Sequence, residues 1–242
     1  ISRLIVEPFE LAGEEKQTPL IPLSGPRCLV EDELTSLITQ IPNSTRIVNV
    51  SLTTDMDFEQ CSKRTASSIA KTKDRLLWVV SAGNEGKLIE NPTQLEACPQ
   101  SLSGQSNILI VAASNGDRLW RGQGGGTNYG ERYADLAVEA NSTSEAAAKI
   151  SRFANIINAK YPTLTIQQLK LILILGAETH GLPLRSHGLL NQDDTLRMAE
   201  EIYQGRDFAQ TIDEVFRGFF NRRLREEKKR ILQELKTNEV TK

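Results

Sequence analysis

Short apolar runs rich in β-branched residues recur through the middle of the chain, and helix-length segments separate them. Ile47, Val48, Val50 and Leu52 form the first run, Leu76 to Val80 the second, and Ile108 to Ala113 the third. Runs of this length and composition predict strands buried on both faces. Strands so far apart cannot be joined by tight hairpins, so they predict parallel pairing through crossover connections. The expected class is therefore α/β, a parallel sheet flanked by helices. A further short strand is expected over residues 133–137. Helical patterns fill the gaps. Residues 59–73 carry Ala66, Ile69 and Ala70 at helical steps. Residues 144–160 are alanine-rich, with Ile150, Phe153, Ile156 and Ile157 on one face and Pro162 beyond the end. Thr165 and Gln168 have capping-box spacing and predict a helix over 166–177. Another helix is expected over 193–203, after a glycine turn at Gly188. Residues 1–45 read as a strand at Leu4, Ile5 and Val6, a proline-interrupted connection, and a helix around 31–40.

Composition narrows the function classes. Among 242 residues there are 29 Lys and Arg against 31 Asp and Glu, a net charge of −2. That balance offers no electrostatic footprint for nucleic acid. No apolar run approaches the roughly 20 residues of a transmembrane helix. Cys28, Cys61 and Cys98 are widely spaced and odd in number, which predicts no disulfide framework and favours a reducing, intracellular compartment. They lack metal-ligand spacing, and His180 and His187 have no cysteine nearby, so neither a metal nor a cofactor is expected. No acidic cluster marks a calcium site. The glycine tract from Gly122 to Gly126 lacks the Lys-Ser/Thr ending of a phosphate loop and reads as a flexible loop. Ile1 in place of methionine predicts a processed or partial chain.

Two places combine unusual local chemistry. Ser81, Ala82, Gly83 and Asn84 follow a buried strand directly. An asparagine amide at a strand's carboxyl end can donate to a developing oxyanion, although Gly83 and Asn84 also suit an ordinary turn. Further on, Asn141, Ser142, Thr143 and Ser144 precede an alanine-rich helix. A serine there has its hydroxyl at the positive end of the helix dipole, as a nucleophile requires, and a plain N-cap fits the same pattern.

Order and spacing separate these readings. Asn49, Ser51 and Leu52 come first, then Ser81-Ala82-Gly83-Asn84-Glu85-Gly86, then Cys98-Pro99 and the strand from Ile108. Asn128-Tyr129-Gly130 and Asp135-Leu136-Ala137 follow, and then Thr143-Ser144-Glu145-Ala146. Tyr161-Pro162 and Gly188-Leu189-Leu190-Asn191 complete the series. Across residues 46–203 this succession resembles the subtilisin-like serine proteases. The resemblance implies Ser144 as the nucleophile and Asn84 as the oxyanion donor. It implies that Ser51, Leu52, Ser81, Ala82 and Gly83 line the cleft for a polypeptide substrate, whose backbone adds to these edges as a strand. Three positions depart from the family pattern. Ser142 and Thr53 replace glycines, and Ala148 replaces a proline. The link from Ala137 to Ser142 is also shorter than usual.

The family needs a histidine base oriented by an aspartate, and both precede this stretch. No aspartate in the first zone sits in a glycine-rich strand-end setting, and both histidines follow the serine. The expected function is therefore a subtilisin-like endopeptidase whose aspartate and histidine come from an upstream fragment. The alternative is an inactive pseudo-protease that serves as a binding scaffold. The expected organisation is a subtilase-like domain over 1–205 and a basic amphipathic helix over 206–242. Residues 217–236 hold eight basic and three acidic side chains. Phe216, Phe219, Phe220, Leu224, Ile231 and Leu235 recur mostly at helical steps, so the helix is expected to pack on its own domain, dock a protein partner or contact an anionic membrane surface.

Overall fold

The computed structural model describes residues 38–53 and 58–207. The expected strand at Leu4, most of the helix around 31–40 and the amphipathic tail beyond residue 207 lie outside them. The core is a seven-stranded sheet in which β1 (Ile47–Val50), β2 (Leu77–Ser81), β3 (Ile108–Asn115) and β7 (Leu136–Glu139) are parallel neighbours in that order. Next to β7 runs β9 (Gly188–Leu190), also parallel, and then β8 (Ala177–Thr179), antiparallel to β9. The short β4 (Arg118–Leu119) pairs antiparallel with the end of β3. The sheet is thus mixed but mostly parallel, as the spacing of the apolar runs predicts.

Alternate side chains of the central strands enter two cores. Leu77 and Val79 face one side, with Leu109, Val111 and Leu136. Trp78 and Val80 face the other, with Ile108, Ile110 and Ala112. Both faces are buried, which explains why these strands read as continuous apolar runs rather than alternating ones. The helix Thr143–Lys160 lies on the first face. Ala146 and Ala147 sit fully buried at its start, and Ile150, Phe153 and Ile157 continue the stripe. Small residues there let the helix approach β1, β2 and β3 closely. At its far end the Arg46 guanidinium donates to Asn158 Oδ1 and to the carbonyls of Pro162 and Leu164, which ties the helix to the start of β1. Thr165 forms the expected capping box with Gln168 and opens the helix Ile166–Leu175. The helix Gln192–Tyr203 starts one residue earlier than expected.

Several expectations need correction. The strand near residue 133 begins at Leu136 instead. Tyr133 is wholly buried with its hydroxyl donating to the Ala82 carbonyl, so residues 130–135 form a turn that braces the β2 loop. The helix from Ile166 stops at Leu175, and Ala177 enters β8. The glycine tract is not a free loop, because β5 (Arg121–Gly122) and β6 (Gly125–Gly126) pair as a ribbon. Cys61 and Cys98 are joined by a disulfide, both side chains fully buried. The helical stretch that carries Cys61 packs against the segment after Cys98, a long-range contact that spacing along the chain does not reveal. The pairing removes the cysteine-based argument for a reducing compartment.

Candidate active site

Because β1, β2, β3 and β7 run the same way, their carboxyl ends share one edge of the sheet. Ser51 leaves β1 there, Ala82 to Asn84 leave β2, the glycine ribbon follows β3, and Asn141 to Ser144 follow β7. Loops at this edge are where open α/β sheets assemble their sites. The same edge receives the amino terminus of the helix Thr143–Lys160, whose dipole favours negative charge.

The helix start is built in detail. Ser142 is its N-cap, with Oγ accepting from the Glu145 N–H at 3.2 Å. The serine at a usual glycine position therefore works as a cap. Glu145 reaches back to the Asn141 N–H at 2.9 Å and pairs with the Lys149 ammonium at 2.7 Å. Burial pushes its carboxyl up, but Lys149 and the Asn141 N–H together outweigh that and hold it below the usual carboxylate range.

Thr143 joins the helix to the β2 loop. It is fully buried. Its N–H and its hydroxyl each donate to Asn84 Oδ1 at 3.0 Å, and its Oγ1 accepts from the Gly83 N–H at 3.2 Å. Two donors on Oδ1 fix the rotation of the Asn84 amide. Nδ2 therefore points away from Thr143, and it donates to no described residue. Gly83 has φ +96° and leaves no room for a side chain beside Asn128, whose amide donates to Glu85. On the other side, Gly126 N–H donates to the Asn84 carbonyl at 3.0 Å. A Cβ at Gly125 would stand 2.4 Å from that carbonyl oxygen, so the close approach requires glycine.

Ser144 follows Thr143, half-buried, and its hydroxyl bonds to no described residue. Its carbonyl accepts from Ser51 Oγ at 3.2 Å. Ser51 Oγ in turn accepts from Asn49 Nδ2 at 3.0 Å, and Asn49 Oδ1 accepts from Ser151 at 3.2 Å. The structure thus gathers Ser51, Gly83, Asn84 and Ser144 at one point. Leu52 is exposed, while Ser81 and Ala82 are buried. Gln100 is fully buried, and its Nε2 lies within hydrogen-bond distance of the Leu52 and Ser81 carbonyls, both at 3.1 Å, and of Thr53 Oγ1 at 2.7 Å, so that its two N–H protons are shared among three acceptors. Sequence reasoning missed Thr143, Gln100 and Gly125. The first lies beside a named serine, but nothing local marks it as the partner of Asn84, 59 residues away.

His180 and His187 flank the β8–β9 turn at the opposite edge of the sheet. They stand 3.9 Å from Glu178 and Glu131 respectively. That edge also carries Asp135, fully buried, paired with Arg185 and accepting from the Ile110 N–H at 2.8 Å. Among the described residues no cluster of His, Cys, Asp or Glu could hold a metal ion.

A mostly parallel sheet with helices on its faces, and a serine-bearing helix start pinned to the loop after a central strand, is a subtilisin-like architecture. The subtilase family model matches residues 19–192, and the chain belongs to the subtilase family. Membership supports a serine-protease-like function with polypeptides as substrates. Solved structures agree on the fold. The A-subunit of the AB5 toxin from E. coli is 18% identical with a TM-score of 0.59, over 70% of this chain and 67% of that one. The protease domain of PatA, in mutant form, is 17% identical with a TM-score of 0.54, over 71% and 66%. MycP1 from Mycobacterium smegmatis is 14% identical with a TM-score of 0.52, over 68% and 53%. The chain thus spans between half and two thirds of these chains. Among curated proteins no sequence match is found.

Proposed function

We propose that this chain is the serine-bearing part of a subtilisin-like endopeptidase. Ser144 Oγ would attack the substrate carbonyl carbon and pass its proton to a histidine. Asn84 Nδ2 would donate to the oxyanion, and collapse would expel the amine with that proton to leave an acyl-enzyme for water to cleave. The observation that carries this reading is the bond pair from Thr143 to Asn84 Oδ1, which fixes the Asn84 amide against the start of the helix that carries Ser144. The chain's two histidines stand at the far edge of the sheet. The histidine and its aspartate are therefore assigned to a segment outside these 242 residues.

The test is the intact mass of the natural protein after exposure to a fluorophosphonate probe. The proposal expects one adduct, lost in Ser144→Ala. An unmodified protein would overturn it in favour of a scaffold that binds without cutting.

A further inference from the structure

We propose that Gln100 closes the bottom of the cleft between residues 51–53 and 81–83, so that this site selects glycine, alanine or serine immediately before the scissile bond. The inference rests on the proteolytic reading for the identity of that cleft. The geometry is independent of it. β1 and β2 are paired neighbours up to Val50 and Val80, and their pairing ends there. The gap is where a side chain would descend between the two edges. One nitrogen fills it. Gln100 Nε2 bonds the Leu52 carbonyl from one wall and the Ser81 carbonyl from the other, each at 3.1 Å. The two walls are thereby cross-linked through a single amide.

Thr53 adds a third contact. Its Oγ1 lies 2.7 Å from the same nitrogen. The amide thus occupies the space beside Thr53 and between the two walls, the space that a leucine or phenylalanine side chain would need. Thr53 replaces a glycine of the family pattern, and its hydroxyl is one of the three anchors. The substitution and the plug form one device. Gln100 Oε1 is buried without a partner, so the amide is held by its nitrogen alone.

The experiment uses the whole natural protein and peptide anilides that differ only in the last residue before the scissile bond. The wild type is expected to cleave after Ala, Gly and Ser about ten-fold or more faster than after Leu, Phe or Arg, the range a few methylenes command in a closed pocket. Gln100→Gly should raise cleavage after Leu and Phe by a similar factor. Thr53→Gly keeps the amide, releases one anchor, and should shift the profile the same way by less. Equal wild-type rates after Ala and Phe, or an unchanged profile in Gln100→Gly with a native melting curve, would overturn the proposal. Binding of the corresponding uncleaved peptides to Ser144→Ala, read by fluorescence anisotropy, separates it from the proteolytic reading. Selection of small residues in binding without turnover by the wild type would sink proteolysis and keep the closed cleft. Peptides that bind nowhere would overturn both.

Discussion

Asn84 accepts two hydrogen bonds and offers one donor, and these roles can be separated by one substitution. In Asn84→Asp a carboxylate oxygen replaces Oδ1 and still accepts from the Thr143 N–H and hydroxyl, both at 3.0 Å. The added charge lies at the start of the helix Thr143–Lys160, where an anion contributes about 0.3–1 kcal/mol. Stability should therefore be unchanged or slightly higher. Asn84→Ala instead leaves the Thr143 N–H and hydroxyl without their acceptor in a residue with no solvent access. Two neutral hydrogen bonds contribute about 1–3 kcal/mol together, and the exposure of Asn84 places the loss in the lower half of that range. Both substitutions delete the Nδ2 donor. Removal of one oxyanion donor lowers kcat by about 10²–10³, or about 3–4 kcal/mol. The assay pairs urea midpoints with the rate of fluorophosphonate labelling and peptide turnover in the whole natural protein. Expected is a near-native midpoint for Asn84→Asp with the same catalytic loss as Asn84→Ala. Turnover by Asn84→Asp within three-fold of wild type would refute the donor role. A midpoint as low as that of the alanine variant would refute the pinned geometry.

Other consequences are open to measurement. Ser142→Ala should cost about 1 kcal/mol by removing the N-cap, and Ser142→Gly only a few tenths, read as shifts in the urea midpoint. The disulfide closes a loop of 37 residues, so Cys61→Ser with Cys98→Ser should lower stability by about 3–4 kcal/mol, and the intact mass of the wild type should rise by two hydrogen atoms when a thiol reductant opens this bond. Burial pushes the Asp135 carboxyl up, against the pull of Lys170 and Arg185, and the Lys170 ammonium is pushed down by its own burial. With its folded pKa raised, Asp135 binds protons more tightly in the native state, so its ionisation lowers stability as pH rises from the carboxylate range through the raised value. Lys170 acts in the opposite sense at alkaline pH. Arg185→Ala removes a partner of this buried carboxylate and should cost about 2–3 kcal/mol where Asp135 is ionised, less than a fully buried pair because Arg185 is one-third exposed. Protonation of Asp135 should shrink that loss as pH falls through its raised value, and a loss that grows on acidification would contradict the assignment.

The contrast between what the sequence made legible and what it hid follows contact range. Strands β2 and β3 were readable because both faces are buried, which makes each an almost unbroken apolar run, and β1 because Ile47, Val48 and Val50 are β-branched. The capping box at Thr165 and the helix starts were readable because caps are local. β8 and β9 were hidden because each has three residues and is fixed by pairing with its neighbours rather than by periodicity. The late start of β7 was hidden because Tyr133 is aromatic and fully buried, as a strand residue would be, yet it is held by the Ala82 carbonyl across the sheet end. Cys61 and Cys98 looked unpaired for the same reason.

The site divides along the same line. Ser51, Asn84 and Ser144 were named by the family resemblance, and a parallel sheet, which delivers every strand's carboxyl end to one edge, brings the loops that carry them together whatever lies between them. That topology also places His180 and His187, which border the turn before β9, at the other edge. What topology does not specify is which side chain fixes which. Thr143 could as well have faced solvent, and Gln100 follows a proline in a stretch with no motif. Their roles appear only when the β2 loop, the helix start and the segment after Cys98 are brought within hydrogen-bond distance. The Thr53 departure marks this limit. On the sequence it reads as an erosion of the family pattern, whereas in the fold its hydroxyl bonds Gln100 at 2.7 Å.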